Sequence, residues 1–144
     1  MKPLKWPHYI TALTLVMVLL VIGYLVLANT ITMHAKQDKY LIGTTNISTT
    51  LRNRTLQTIT YGAAFELEYL VDGEWVKMGR EATTINFEAW GKSLLPFTSA
   101  SIDYPVSIYS EMEKVGTYRL VVNVIHGDSI SSIHCPFEIV AGIT

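Results

Sequence analysis

The chain has 144 residues, 49% of them hydrophobic, and its 11 basic and 12 acidic residues leave a formal charge of −1. A near-balanced charge with no Lys/Arg cluster excludes the basic stripe on which nucleic-acid binding depends. The single cysteine, Cys135, excludes an intrachain disulfide, and the length suits one domain.

The hydrophobic excess lies at the N-terminus. Tyr9 to Ala28 reads "YITALTLVMVLLVIGYLVLA" without a charged residue. At ~1.5 Å per helical residue, such a run covers a hydrocarbon core of about 30 Å. It predicts a transmembrane helix, a signal anchor over residues 9–28, that holds the chain in a lipid bilayer. Trp6, Tyr9 and Tyr24 lie near its ends, and Lys2 and Lys5 precede it, so residues 1–8 are expected to be a short cytoplasmic N-terminus. Everything after Ala28 is then extracytoplasmic, and the protein is single-pass in the cell membrane. A cleaved secretory signal is the competing reading, because Val26 and Ala28 have the spacing of a signal-peptidase site. Against it, the apolar run exceeds the ~7–15 residues usual for a signal. Residues 29–45 read as a polar juxtamembrane linker whose Lys36 and Lys39 can rest on anionic head groups.

Over residues 46–144 the hydrophobic period falls to two, in short runs separated by Gly, Asn, Asp or Pro. This pattern predicts an all-β sandwich. Strands are expected at 46–52, 56–61, 64–70, 75–78, 83–90, 102–109, 117–125 and 130–140. Asp72-Gly73 predicts a type I′ hairpin, and Gly127-Asp128 in "HGDS" is expected to do the same for the last two strands. Alternation places Ile47, Thr49, Leu51, Ile59, Tyr61, Phe65, Leu67, Ile85, Phe87, Tyr118, Leu120, Val122 and Val124 in the core, with Ile133, Cys135, Phe137 and Ile139 of the last strand.

Chemistry is sought first in "FELEYLVDGEWVKM", where Glu66 and Glu68 stand two residues apart. If Phe65, Leu67 and Tyr69 face inward, both carboxylates face outward and are hydrated, so neither becomes a general acid. Cys135 alternates with core positions and reads as a packed thiol. His126 and His134 are set roughly 13 to 17 Å apart along one hairpin at about 3.3 Å per residue, too far to share a zinc ion. His134 and Cys135 point to opposite faces. No G-x-S-x-G elbow, S-x-x-K near a helix or glycine-rich phosphate loop occurs. The expectation is therefore a non-enzymatic protein with no cofactor, metal or small-molecule substrate.

One combination is more specific than alternation. "LRNRTLQTITYGAAFELEYLVDGEWVKM" followed by "EKVGTYRLVV" resembles the bacterial immunoglobulin-like domain found in many extracytoplasmic proteins of Gram-positive bacteria. The matching positions are Asn53, Tyr61, Gly62, Phe65, Leu67, Glu68, Gly73, Trp75, Gly116, Tyr118 and Arg119, with Asp72 completing the turn. The resemblance covers about Thr45 to Val124. It implies an antiparallel immunoglobulin-like sandwich, often tethered to a membrane, with no shared catalytic residue. The middle segment "KSLLPFTSASIDYPVSIYSEMEKVG" is longer than the family pattern and lacks its Pro-Gly turn. Gly116 and Tyr118 have the spacing of a tyrosine corner, and Trp75 is expected either to plug the sandwich or to lie partly exposed beside Tyr69.

Recognition surface remains. Glu66, Glu68, Asp72, Glu74 and Glu81 gather around the first hairpin beside Trp75, and Leu94 and Phe97 form an apolar run in a loop at 91–101. Leu94, Phe97, Trp75, Glu66 and Glu68 are the expected contact residues for an envelope protein or wall component. A structural spacer, an assembly subunit of a membrane complex, or a secreted domain if the N-terminal segment is cleaved are the alternatives.

Overall fold

The computed structural model describes residues 7–28, 30–79, 91–109 and 112–142, with the side chains of its helix given from 10 to 24. It falls into two compact units divided after Thr30. The first contains a single helix, α1 (Pro7–Ala28), with no acidic residue in its first turn and no basic residue in its last. Its described large side chains, such as Leu13, Leu20 and Tyr24, are exposed in the isolated chain. Among the described residues no helix is long and apolar enough to cross a membrane. The side chains from 10 to 24 would cover only about 22 Å at ~1.5 Å per residue.

The second unit is a β-sandwich. Strand β1 (Ile31–Ala35), β3 (Asn46–Asn53) and β7 (Ser99–Pro105) form one antiparallel sheet in the order β1-β3-β7. The other sheet runs β2 (Lys39–Leu41), β9 (Ser129–Val140), β8 (Gly116–His126), β4 (Ile59–Val71), β5 (Glu74–Lys77), and β6 (Lys92–Leu94) also pairs with β4. Period-two alternation carries the packing. Ile47, Leu51, Ile59, Leu67, Tyr118, Leu120, Val122, Val124 and Cys135 are all fully buried between the sheets. The expected core positions are buried as alternation predicts, except that Ile133 is half-buried and Ile85 and Phe87 lie outside the described residues.

Four differences from the sequence expectation have physical causes. The presumed linker contains β1 and β2, and the chain crosses between sheets at Lys36–Asp38. β2 pairs parallel to β9, whereas the other strand pairs among the described residues are antiparallel. The strands expected at 56–61 and 64–70 are one strand, β4, interrupted by a bulge. Tyr61 pairs with Val124 and Phe65 with Val122, so Gly62, Ala63 and Ala64 lie opposite Asn123 alone. Two extra residues preserve parity, which keeps both Tyr61 and Phe65 facing the core. The strand expected at 102–109 is shifted to β7. It ends at Pro105, where a 3₁₀ turn (Val106–Ile108) follows and the N–H groups of Val106 and Ser107 donate to the Thr45 carbonyl. The strand expected at 83–90 lies outside the described residues.

The two hairpins also differ. Asp72 and Gly73 have φ of 50° and 86°, as a type I′ turn requires. At the second turn only Gly127 has positive φ, at 59°. Its first central residue alone is left-handed, the signature of type II′.

Candidate functional site

The most connected polar group in the sandwich is Asn53, the last residue of β3 and fully buried. Its amide Nδ2 donates to the carbonyls of Gln57, Leu94 and Leu95 at 2.8, 3.1 and 3.1 Å. Its Oδ1 accepts from the Thr55 N–H and hydroxyl at 3.0 and 2.7 Å. The Asn53 N–H in turn donates to the Thr98 carbonyl. One side chain thus closes its own turn as an Asx motif and fastens a second loop, 95–98, to it.

That second loop presents apolar side chains. Leu94 belongs to β6, pairs with Ile59 and is buried, so its expected role as a contact residue is corrected. Leu95 and Phe97 are exposed instead. The Thr98 N–H and hydroxyl both bond the Leu95 carbonyl around Pro96-Phe97. Phe97 sits at φ 57°, the third position of a type II turn, where glycine or asparagine is usual.

The outer face of the larger sheet carries the other expected contact residues. Glu68 is directly opposite Arg119 and accepts a 2.5 Å bond from its Nε; their side chains are 18% and 21% exposed. The Arg119 guanidinium lies 4.2 Å from the centroid of the Trp75 ring. Glu68 is therefore not the freely hydrated carboxylate that alternation implies. It is outward-facing but covered, in a carboxylate–guanidinium–indole stack. Trp75 pairs with Leu70 on this outer face and is half-buried there, so it does not plug the sandwich. Glu66 is nearer solvent and pairs with Lys77 at 2.6 Å. The two glutamates thus have separate cationic partners.

Removing one member of the covered pair leaves the other charge partly desolvated. Arg119→Leu is expected to cost about 2 kcal/mol, whereas the double variant Glu68→Leu/Arg119→Leu recovers most of that loss. A double-mutant cycle on denaturant midpoints checks this.

Two groups in the core bear on reactivity. Cys135 is fully buried. Burial pushes its thiol up to about 11, partly offset by a hydrogen bond with the Ala35 backbone. Because the folded value lies above the ordinary thiol value of 9.0, the native state holds the proton more tightly than the unfolded chain. Stability from this group is intact below pH 9 and declines as pH rises toward 11. Cys135→Ala should flatten that alkaline decline in pH-resolved unfolding, and the wild-type thiol should ignore aromatic disulfide reagents until denaturant is added. Tyr104, packed edge-on against Phe65 at 5.0 Å, is held above the ordinary tyrosine range by burial. Its hydroxyl meets no hydrogen-bond partner among the described residues.

Gly116 and Tyr118 build the expected corner. The Tyr118 hydroxyl donates to the Lys114 carbonyl at 2.7 Å, and the Tyr69 ring lies over Gly116, where an added Cβ would fall 2.5 Å from its Cε2. These residues serve the fold. His126 and His134 occupy the tip and shaft of the last hairpin, opposite Ser129 and Val121 respectively. Among the described residues no three His, Cys, Asp or Glu side chains converge.

The family model for the bacterial Ig-like domain matches residues 28–136. No curated protein sequence matches the chain. Among solved structures, the archaellum periplasmic stator protein FlaG from Sulfolobus acidocaldarius is similar at 12% identity and a TM-score of 0.40, over 75% of this chain and 100% of that one. Alkylpurine DNA glycosylase AlkC from Pseudomonas fluorescens, bound to DNA containing an abasic site analog, is similar at 14% identity and a TM-score of 0.38. That match covers 77% of this chain and 30% of the glycosylase.

Proposed function

Because the chain belongs to the bacterial Ig-like domain family, matched from residue 28 to residue 136, we propose that it is a non-enzymatic, membrane-anchored extracytoplasmic module that contacts another envelope protein or a wall component. The observation that carries this reading is α1. The run from Tyr9 to Ala28 has no charged residue, and the helix has no polar stripe to lay on a soluble core. A helix apolar on all sides belongs in a bilayer or a large protein interior. The described side chains cover only residues 10–24, but the backbone of Pro7–Ala28, at about 33 Å, is of bilayer length. Lys2 and Lys5 favour an N-terminus in the cytoplasm and a sandwich outside. The pairing of Glu68 with Arg119 and of Glu66 with Lys77, and the burial of Cys135, favour a surface for contact over one for catalysis.

Contact is assigned to the outer sheet face around Trp75, Glu66 and Glu68. The test replaces Trp75 or Glu66 with a photo-crosslinking residue in the full chain in its native membrane. Discrete adducts are expected. Absence of adducts from both positions would overturn the contact function in favour of a spacer.

A further inference from the structure

We infer, resting on the membrane-anchored reading, that the end of the sandwich where the chain enters docks onto the lipid surface through Leu56, Leu95 and Phe97. Ile31 opens β1 and pairs with Asn53, the last residue of β3. The turn after Asn53 carries Leu56. The Asn53 amide bonds the carbonyls of Gln57 and Leu95, so the loop bearing Leu95 and Phe97 lies at the same end. Leu56, Leu95 and Phe97 are 70%, 61% and 53% exposed, although they are among the largest apolar side chains of the sandwich.

Three features identify a bilayer as the occupant. Only Asn29 and Thr30 separate Ala28 from Ile31, and a trans chain advances at most ~3.8 Å per residue. Exposed Arg52 and Arg54 flank the apolar tips and complement anionic head groups, outnumbering Asp128, which the turn at Gly127 brings to the same end, while Asp72 and Glu74 lie at the opposite end of β4 and β5. The positive φ of Phe97 adds the third feature. A turn that tolerates this strain at an exposed aromatic presents a ring at its tip, as an interfacial anchor requires.

The test uses the full chain reconstituted into vesicles of seven parts phosphatidylcholine to three parts phosphatidylglycerol. Leu56→Cys, Phe97→Cys and, as the far-end control, Asp72→Cys are each labelled with an environment-sensitive fluorophore; buried Cys135 stays unlabelled in the native state. Quenching by nitroxide-bearing lipids is read beside vesicle flotation. Labels at 56 and 97 are expected to be quenched several-fold more than the label at 72. Leu95→Asp/Phe97→Asp should remove the quenching at 56 while the chain still floats. Equal quenching at all three positions in a floating chain overturns the docking and leaves the anchor standing. A chain that does not float overturns both. Shielding of position 97 only when a protein extract is supplied assigns this end to a protein and overturns lipid docking.

Discussion

Asn53→Ala is expected to destabilise the sandwich by about 3 kcal/mol or more, among the largest losses available from one side chain. The truncation leaves the buried Leu94 carbonyl, the part-buried Gln57 carbonyl and the Thr55 hydroxyl without their bonds to this amide. Each buried group left unsatisfied costs about 1–3 kcal/mol. Thr55 retains its bond to the Gln57 carbonyl, which limits the total. Asn53→Asp should be no better, because a carboxylate cannot donate to three carbonyls and keeping it charged in a site with no exposure is costly. Chemical denaturation gives the magnitude. Hydrogen exchange should locate the loss, with protection falling first at Gln57 and Thr98, whose N–H groups donate within the two loops that Asn53 joins.

Gly116→Ala is expected to cost about 2–3 kcal/mol by overpacking. The new methyl would meet the Tyr69 ring at Cε2 and its hydroxyl oxygen, 2.5 and 2.8 Å away. That ring has little room to retreat, because its centroid lies 4.7 Å from the Tyr118 ring and its hydroxyl bonds the Val115 carbonyl. Tyr69→Ala should lose stability by itself through its buried area, yet adding Gly116→Ala to it should cost clearly less than adding it to the wild type. A thermal-unfolding cycle of the four proteins measures that non-additivity. An additive cycle would mean that the ring does not confine Gly116.

Much of this architecture was legible because alternation is local. The inward faces of β3, β4, β8 and β9, the Asp72-Gly73 turn and the Tyr118 corner each follow from a few adjacent residues. What could not be read depends on partners distant in sequence. β1 (ITMHA) and β2 (KYL) are too short to show a sustained period, and their strand character comes from pairing with β3 and β9. Leu94 and Phe97 stand three residues apart in one apolar run, and only the pairing of Leu94 with Ile59 separates a buried residue from an exposed one. Alternation placed Glu68 on the outer face correctly. It carried no information that Arg119 and Trp75 would cover it, since that requires the cross-strand register. The Asn53 hub is similar: its own turn is visible in "NRT", but the bonds to Leu94 and Leu95 span more than forty residues.

These features divide the sandwich by role. Asn53, Gly116 and Tyr118 fix its shape, the Glu68–Arg119–Trp75 stack lies on the outer face of the larger sheet, and the apolar tips mark the end where the chain enters. Such an arrangement suits the tethered module proposed above, which would need a defined orientation at the membrane more than a chemical centre.

The most direct measurement is labelling of Asp72→Cys with a membrane-impermeant maleimide in intact cells, followed by membrane fractionation. Asp72 lies at the exposed tip of the first hairpin, and buried Cys135 keeps the unmodified protein silent. The expected result is labelled, full-length protein in the membrane fraction. Labelling that appears only after lysis, or a labelled product shortened by loss of the N-terminal segment, would contradict an anchored extracytoplasmic module.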